Sequence, residues 1–280
     1  MTDSPFDTVM WDGKTQGEWS KEIDGSDVVI NLAGRSVNCR YTDENRRLIM
    51  DSRVDSTRAV GEAIAISENP PRVWLQAATA TIYAHHFDAP NDDLNGIIGG
   101  LEDDAPDTWN FSIDVAQEWE NAANDVITPD TRKVLMRSAM TMSPDKDGIF
   151  DVLLGLVNKG LGGTAGDGRQ YISWVHETDF INAVKFLIDH DELEGPVNIA
   201  APNPLPNKEF MRIFRKVSNT SIGLPASKWM LEFGAFFLQT ETELILKSRR
   251  VVSKRLEDAG FEFIYRDWED ACRELYARRK

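Results

Sequence analysis

Apolar positions along the chain follow two alternating patterns. Asp27-Val28-Val29-Ile30-Asn31 is a short β-branched run followed by the small-residue turn Leu32-Ala33-Gly34. Continuous runs of this kind predict strands buried on both faces. Arg72 to Ala77, Lys133 to Arg137, Tyr171 to Val175 and Val197 to Ala200 predict further strands. Between them, apolar residues recur every three or four positions. Leu48, Ile49, Val54, Ala59, Val60 and Ala63 give residues 44–66 a helical apolar face, which Pro70-Pro71 stops. Phe111 to Asn124 and Thr178 to Asp189 predict helices, and a helix between 145 and 165 runs into a glycine-rich turn, Gly160 to Gly168. Helices then dominate, at about 207–217, 226–239 and 267–278, with a strand-like Phe261-Glu262-Phe263 before the last.

Strands alternating with crossover helices predict a parallel α/β sheet covered on both faces. The rhythm breaks after about residue 140. That predicts a smaller mixed α+β lobe packed on the carboxyl ends of the strands, where ligand crevices lie in such sheets. The sheet domain is expected over 1–140 with a returning segment at about 170–200. The second lobe takes 141–169 and 201–280.

Charge narrows the partners. The chain carries 46 acidic and 31 basic residues, a net charge of −15. Such a surface repels nucleic acid and anionic membrane, so neither is an expected partner. The longest apolar runs, such as Phe233 to Leu238, are too short to cross a bilayer, and residues 1–11 lack the basic and apolar regions of a signal peptide. A cytoplasmic location is expected. Cys39 and Cys272 have no further cysteine or histidine at metal-ligand spacing, which predicts two free thiols and no metal site.

Several short segments together resemble one family. Asn31-Leu32-Ala33-Gly34 is similar to the Asn-Asn-Ala-Gly turn of short-chain dehydrogenase/reductase (SDR) enzymes, and Ala78-Thr79-Ala80-Thr81-Ile82-Tyr83-Ala84-His85 to the Ser-Ser-Ala-Thr-Val-Tyr-Gly stretch of sugar-nucleotide epimerases. Arg137-Ser138-Ala139-Met140 resembles the segment after the sixth strand. Gly160-Leu161-Gly162-Gly163 and then Gly166-Asp167-Gly168-Arg169-Gln170 through Trp174-Val175-His176-Glu177-Thr178-Asp179 resemble a signature of NAD(P)-dependent epimerase/dehydratase-like proteins. The tail, over about 222–270, resembles the small C-terminal domain of that branch, the DUF1731 type.

The resemblance implies an incomplete Rossmann-like fold. In the family the strand ending in Asn-x-Ala-Gly is the fourth, and more residues precede it than the thirty before Asn31. Gly13, Gly17 and Gly25 do not form a Gly-x-x-Gly-x-x-Gly turn between a strand and a helix, the element that cradles a dinucleotide diphosphate. Phe6 to Trp11 would then be the third strand. Asp27 to Asn31 would be an unpaired apolar edge, covered by a second copy or another partner. Three readings stay open: a displaced start or gene fragment, a genuine protein whose edge is covered, or a different fold that mimics these motifs.

For chemistry, the resemblance implies that Thr79 hydrogen-bonds a reacting carbonyl or hydroxyl. The family's Tyr-x-x-x-Lys falls on Asp114 and Glu118, and a glutamate in the lysine's place raises a neighbouring acid's pKa. The usual proton transfer therefore does not carry over. Asp114, Tyr83 and His85 are the remaining catalytic candidates beside Thr79, though Asp114 also reads as an exposed helix carboxylate and Tyr83 as an aromatic packing residue. Asn31, Ala33, Gly34, Arg137 and Ser138 are expected at the cofactor, NADP or NAD, and Arg169 and His176 at the substrate; Arg137 also reads as a residue that holds backbone or acidic partners inside the fold. Arg40 and Arg53 could reach a phosphate, though each also reads as a surface or capping charge. The expected activity is that of an oxidoreductase or epimerase-like protein, with hydride transfer on a small substrate, impaired in this N-terminally short form. The alternative is a non-catalytic regulatory or binding protein on the same scaffold.

Overall fold

The structure, a computed structural model, describes residues 5–85, 87–102, 106–225 and 247–279. Strand β1 (Val28–Asn31) leads to α1 (Asp43–Ala65), β2 (Val73–Thr79), α2 (Asp107–Asn124), β3 (Arg132–Ser138) and β4 (Met140–Met142). Then come α3 (Ile149–Asn158), β5 (Tyr171–Ile172), β6 (Trp174–His176), α4 (Glu177–Asp189) and β7 (Gly195–Ile199). The chain continues through β8 (Leu205–Pro206), α5 (Asn207–Val217), α6 (Lys254–Asp258) and α7 (Trp268–Arg279). The Thr42 side chain caps α1 by accepting from the Asn45 amide, and Asp43 and Glu44 complement the helix dipole.

Four strands form a parallel sheet in the order β1-β2-β3-β7. Successive side chains on a strand point to opposite faces, so each strand feeds two cores. Trp74, Ala78 and Leu135 pack with Val60, Ala63 and Ile64 of α1 and Ala123 of α2. Val73, Leu75, Val134 and Met136 pack on the other face with Ala183 and Leu187 of α4 and Leu256 of α6. The sheet is thus the middle of three layers. The part of the chain outside this sheet contains a parallel pair, β4–β6, and an antiparallel pair, β5–β8. Its core joins Phe150, Trp174, Phe210, Phe214 and Trp268, with the Phe210 and Trp268 rings stacked 4.1 Å apart.

The structure corrects two expected strands. Residues 6–11 form no strand, and Phe6, Val9 and Met10 are exposed. An isolated strand is not stable without a partner, and among the described residues none lies beside it. Residues 11–23 instead pack on α1. Gln16 Nε2 donates to Ala59 O at 2.7 Å, and Trp11 and Trp19 join the cluster of Val29 and Val60. Among the described residues β1 pairs with β2 alone, and its Ile30 is 43% exposed. Phe261-Glu262-Phe263 also forms no strand. Its alternation serves packing, because both phenylalanines are buried while the Phe261 amide closes the end of α6 on Leu256 O. The helix expected at 226–239 lies outside the described residues. No described helix is long and apolar enough to cross a membrane. Cys39 and Cys272 are free, and burial pushes the Cys272 thiol up to about 12.

Candidate functional site

Strands β1, β2 and β3 end side by side, with Asn31 opposite Gln76 and Thr79 opposite Ser138. A cleft of about 130 Å³ opens beside these ends. Thr79 and Thr81 line one side, and α2 supplies Phe111, Ser112, Val115 and Trp119. Tyr41, Ile49 and Arg53 face them from the loop before α1 and from α1 itself. Arg249 completes the lining from the second lobe. Its segment is tied down on both sides. Lys247 Nζ donates to Thr81 O at 3.0 Å, the Ser248 amide to His85 Nδ1 at 2.7 Å, and the Val251 amide to Ser173 Oγ at 2.8 Å.

Thr79 lies in the cleft. Its Oγ1 accepts from the Thr81 amide at 3.2 Å and starts a short 3-10 turn over Ala80–Ile82. That bond occupies a lone pair, so the hydroxyl proton remains to be donated. Among the described residues, the titratable side chains lining the cleft are Tyr41, Arg53 and Arg249, with no carboxylate or imidazole. Arg53 is half-buried over the Trp119 ring, 4.9 Å from its centroid, and Nη1 donates to Ile49 O at 3.0 Å. Burial lowers the Arg53 pKa, and interaction with Tyr41 opposes that shift.

The other expected site residues divide into two groups. Asn31, Ala33, Gly34 and Ser138 lie at the strand ends beside Thr79. Asn31 is buried, its Nδ2 donating to Gln76 Oε1 at 2.9 Å and its Oδ1 accepting from the Ala33 amide at 3.0 Å. Gly34 lies against Arg53, since a Cβ there would stand 3.4 Å from the guanidinium carbon. Ser138 Oγ points back to Ala78 O at 3.4 Å.

The second group is displaced from the cleft. Tyr83 is buried, donating to Asn198 Oδ1 at 2.8 Å and accepting from Arg137 Nη1 at 3.0 Å. Burial raises its pKa against the opposing Arg137 charge, the reverse of what an active phenolate needs. Arg137 is committed to Glu120 through two bonds of 2.7 Å. Desolvation works against its charge, but the hydrogen bonds and charge of Glu120 outweigh it and raise the Arg137 pKa. Asp114 is exposed, because the residues of α2 that face the cleft are 111, 112, 115 and 119. One residue of helical rotation, about 100°, separates Asp114 from that face. Arg169 lies at the surface, paired with Asp167 at 2.8 Å. His176 is fully buried. It caps α4 by accepting from the Thr178 amide through Nδ1, and its Nε2 meets Glu274 at 2.9 Å. Arg40 does not line the cleft.

A dinucleotide needs a cradle for its diphosphate as well as a seat for its nicotinamide. The strand ends at Asn31, Thr79 and Ser138 suit the second need. The first is not met among the described residues, since neither α1 nor α2 starts directly from a strand end. The glycines Gly160, Gly163 and Gly166 have the right spacing but close α3 instead of opening a helix. The residues present therefore fit half of the cofactor.

Residues 226–275 match the model of a domain of unknown function, DUF1731. The chain is 29% identical over 260 residues to epimerase family protein YfhF of Bacillus subtilis, covering 93% of this chain and 81% of the relative. It is 30% identical over 259 residues to an epimerase family protein of Staphylococcus epidermidis, covering 92% and 82%. The chain belongs to the epimerase family. Among solved structures, this epimerase-family chain superposes on human epimerase family protein SDR39U1 (isoform 2), crystallised with NADPH, with a TM-score of 0.80 at 23% identity, covering 92% and 86% of the two chains. A nucleoside-diphosphate sugar epimerase from Corynebacterium glutamicum gives 0.73 at 24%, covering 96% of this chain and 52% of that one. These likenesses agree with the Rossmann-like sheet.

Sequence reasoning missed Tyr41, Ser112 and Arg249 as residues lining the cleft. The i, i+4 spacing of Phe111, Val115 and Trp119 is the signal that orients α2 and brings Ser112 with it. Arg249 carries no local signal, because a loop of the second lobe brings it in.

Proposed function

We propose that this epimerase-family protein works on a small substrate with a nicotinamide cofactor, NADP or NAD, as an epimerase or oxidoreductase. The observation that carries the reading is the hydroxyl of Thr79, facing a cleft between the two lobes with its proton free to donate. The names of the relatives and the NADPH held by the human structural neighbour support the same assignment. The cofactor, when bound, supplies hydride exchange. The chain's own residues bind and orient: Thr79 donates to a substrate carbonyl or hydroxyl oxygen, which favours negative charge developing there. Ile49, Val115 and Trp119 exclude water from that oxygen. Tyr41 is the phenol on the cleft wall and the candidate for holding the transferred proton.

A second reading, a non-catalytic binding protein, draws on one observation. The cleft-facing positions of α2 are Phe111, Ser112, Val115 and Trp119, none of them an acid or base at neutral pH. Fluorescence titration with NADPH and NADH, on wild type and Thr79→Val, separates the readings. The enzyme reading expects saturable binding of one cofactor in both proteins, and substrate-dependent oxidation that Thr79→Val lowers at least 100-fold. Absence of binding of either cofactor would refute it.

A further inference from the structure

We infer that the cleft beside Thr79 is a receptor for an anionic oxygen group, a carboxylate or phosphate of the substrate, with Arg53 as its principal ligand. The inference deepens the proposed function by naming a substrate class. The chain has fifteen more acidic than basic residues, yet the described residues lining this cleft include two arginines and no carboxylate. Several other arginines in the described structure pair with acids: Arg137 with Glu120, Arg212 with Glu209, Arg46 with Asp107 and Arg279 with Asp151. Arg53 does not. Its one hydrogen bond runs from Nη1 to Ile49 O, a neutral acceptor in its own helix. An arginine carries five N–H donors in a planar fork. Four of those donors have no protein acceptor among the described residues.

A half-buried guanidinium without a counter-ion is costly unless something supplies one. Its orientation is nonetheless fixed. The plane lies over Trp119, which is itself held by an indole N–H donating to Thr57 Oγ1 at 3.1 Å, and Gly34 leaves no side chain in the way. The fork is therefore held ready for a bidentate acceptor. Thr79, Thr81 and Ser112 add hydroxyls along the same walls, and Arg249 adds a second positive charge. A volume of about 130 Å³ admits a carboxylate or phosphate with a few carbons and is too small for a dinucleotide. Thr79 and Arg53 would then hold the two ends of one small substrate, its reacting oxygen and its charged group.

Isothermal titration with inorganic phosphate and with malonate, at constant ionic strength, tests this on wild type, Arg53→Met, Arg53→Lys and Arg58→Met. Arg58 is exposed on the same helix and serves as the control. Wild type should bind one of the anions with a Kd of about 1 mM or tighter. Arg53→Met should weaken binding at least tenfold, Arg53→Lys by a smaller factor because the charge remains and the fork is lost, and Arg58→Met not at all. Circular dichroism establishes that each variant is folded. Failure of wild type to bind either anion, or equal binding by folded Arg53→Met or Arg53→Lys and wild type, overturns the proposal. Repeating the titration with saturating NADPH identifies the source. Undisturbed anion binding supports a substrate group, whereas competition assigns the site to the cofactor's phosphates and overturns the substrate assignment. Anion binding in a protein that takes up neither cofactor leaves the site standing and removes the nicotinamide reading instead.

Discussion

Replacing Tyr83 by phenylalanine distinguishes a structural hydroxyl from a catalytic one. Tyr83 lies four residues after Thr79 in the stretch that resembles sugar-nucleotide epimerases, so the sequence makes it a catalytic candidate. Its hydroxyl instead joins three elements, donating to Asn198 on β7 and accepting from Arg137 on β3, which is clamped to Glu120 on α2. The deletion removes one neutral hydrogen bond, worth about 1 kcal/mol, and one charged hydrogen bond, worth about 1.5–3 kcal/mol. Arg137 keeps both bonds to Glu120, which holds the expected loss to about 2–3 kcal/mol. With a urea m-value of about 3 kcal/mol/M, the midpoint should fall by nearly 1 M at unchanged slope. Tryptophan fluorescence reports the transition, and an NADPH titration on the same samples reports the cleft. Binding should stay within about threefold, because the hydroxyl is buried away from the ligand. A variant that unfolds like wild type but loses binding or turnover about 100-fold would refute the structural assignment.

Two further predictions follow from local geometry. Hydrogen bonds from Lys216 and then Arg273 hold the Glu269 carboxyl down to about 2, and this half-buried group links α5 to α7. A depressed carboxylate stabilises the fold above its ordinary value of 4.5, and that contribution is lost as pH falls toward 2. Glu269→Gln should therefore flatten the melting-temperature profile across this window and lower it above, and coincident profiles would contradict the assignment. A Cβ at Gly163 would stand 2.3 Å from Leu224 O, a backbone contact that cannot rotate away. Gly163→Ala should cost about 1–3 kcal/mol in thermal unfolding, while Gly155→Ala in α3, where nothing lies within 4 Å, should be neutral or stabilising. A Gly163→Ala protein as stable as wild type would refute the close approach.

The sheet was legible because β-branched runs and helical stripes sit well apart between clear breakers such as Pro70-Pro71. Thr79 was legible because a strand end is fixed by its strand. The candidates that lie away from the cleft share a cause. Tyr83 and His176 carry groups that chemistry often uses, but a linear sequence does not show that Asn198 and Glu274 wait for them across the fold, whereas the acidic partner expected for Arg137 inside the fold is Glu120. Asp114 lies off the face of α2 that lines the cleft, since one residue along a helix turns a side chain by about 100°. Phe6 to Trp11 failed because strand formation is collective: an apolar stretch becomes a strand only where a neighbour supplies the ladder.

The way the tail is built in has a consequence for how the molecule comes apart. The conserved-domain match begins at residue 226, yet Trp268 fills the aromatic core with Phe150 and Phe210, and Leu256 lies under the sheet. Both oxygens of buried Asp179 hold the amides of Ile264 and Tyr265 at 2.8 Å. The border that descent has drawn is therefore not a seam along which the polypeptide separates. Cut at residue 225, the remainder would lose one wall from two of its interiors, and melting should engage both halves in a single cooperative step.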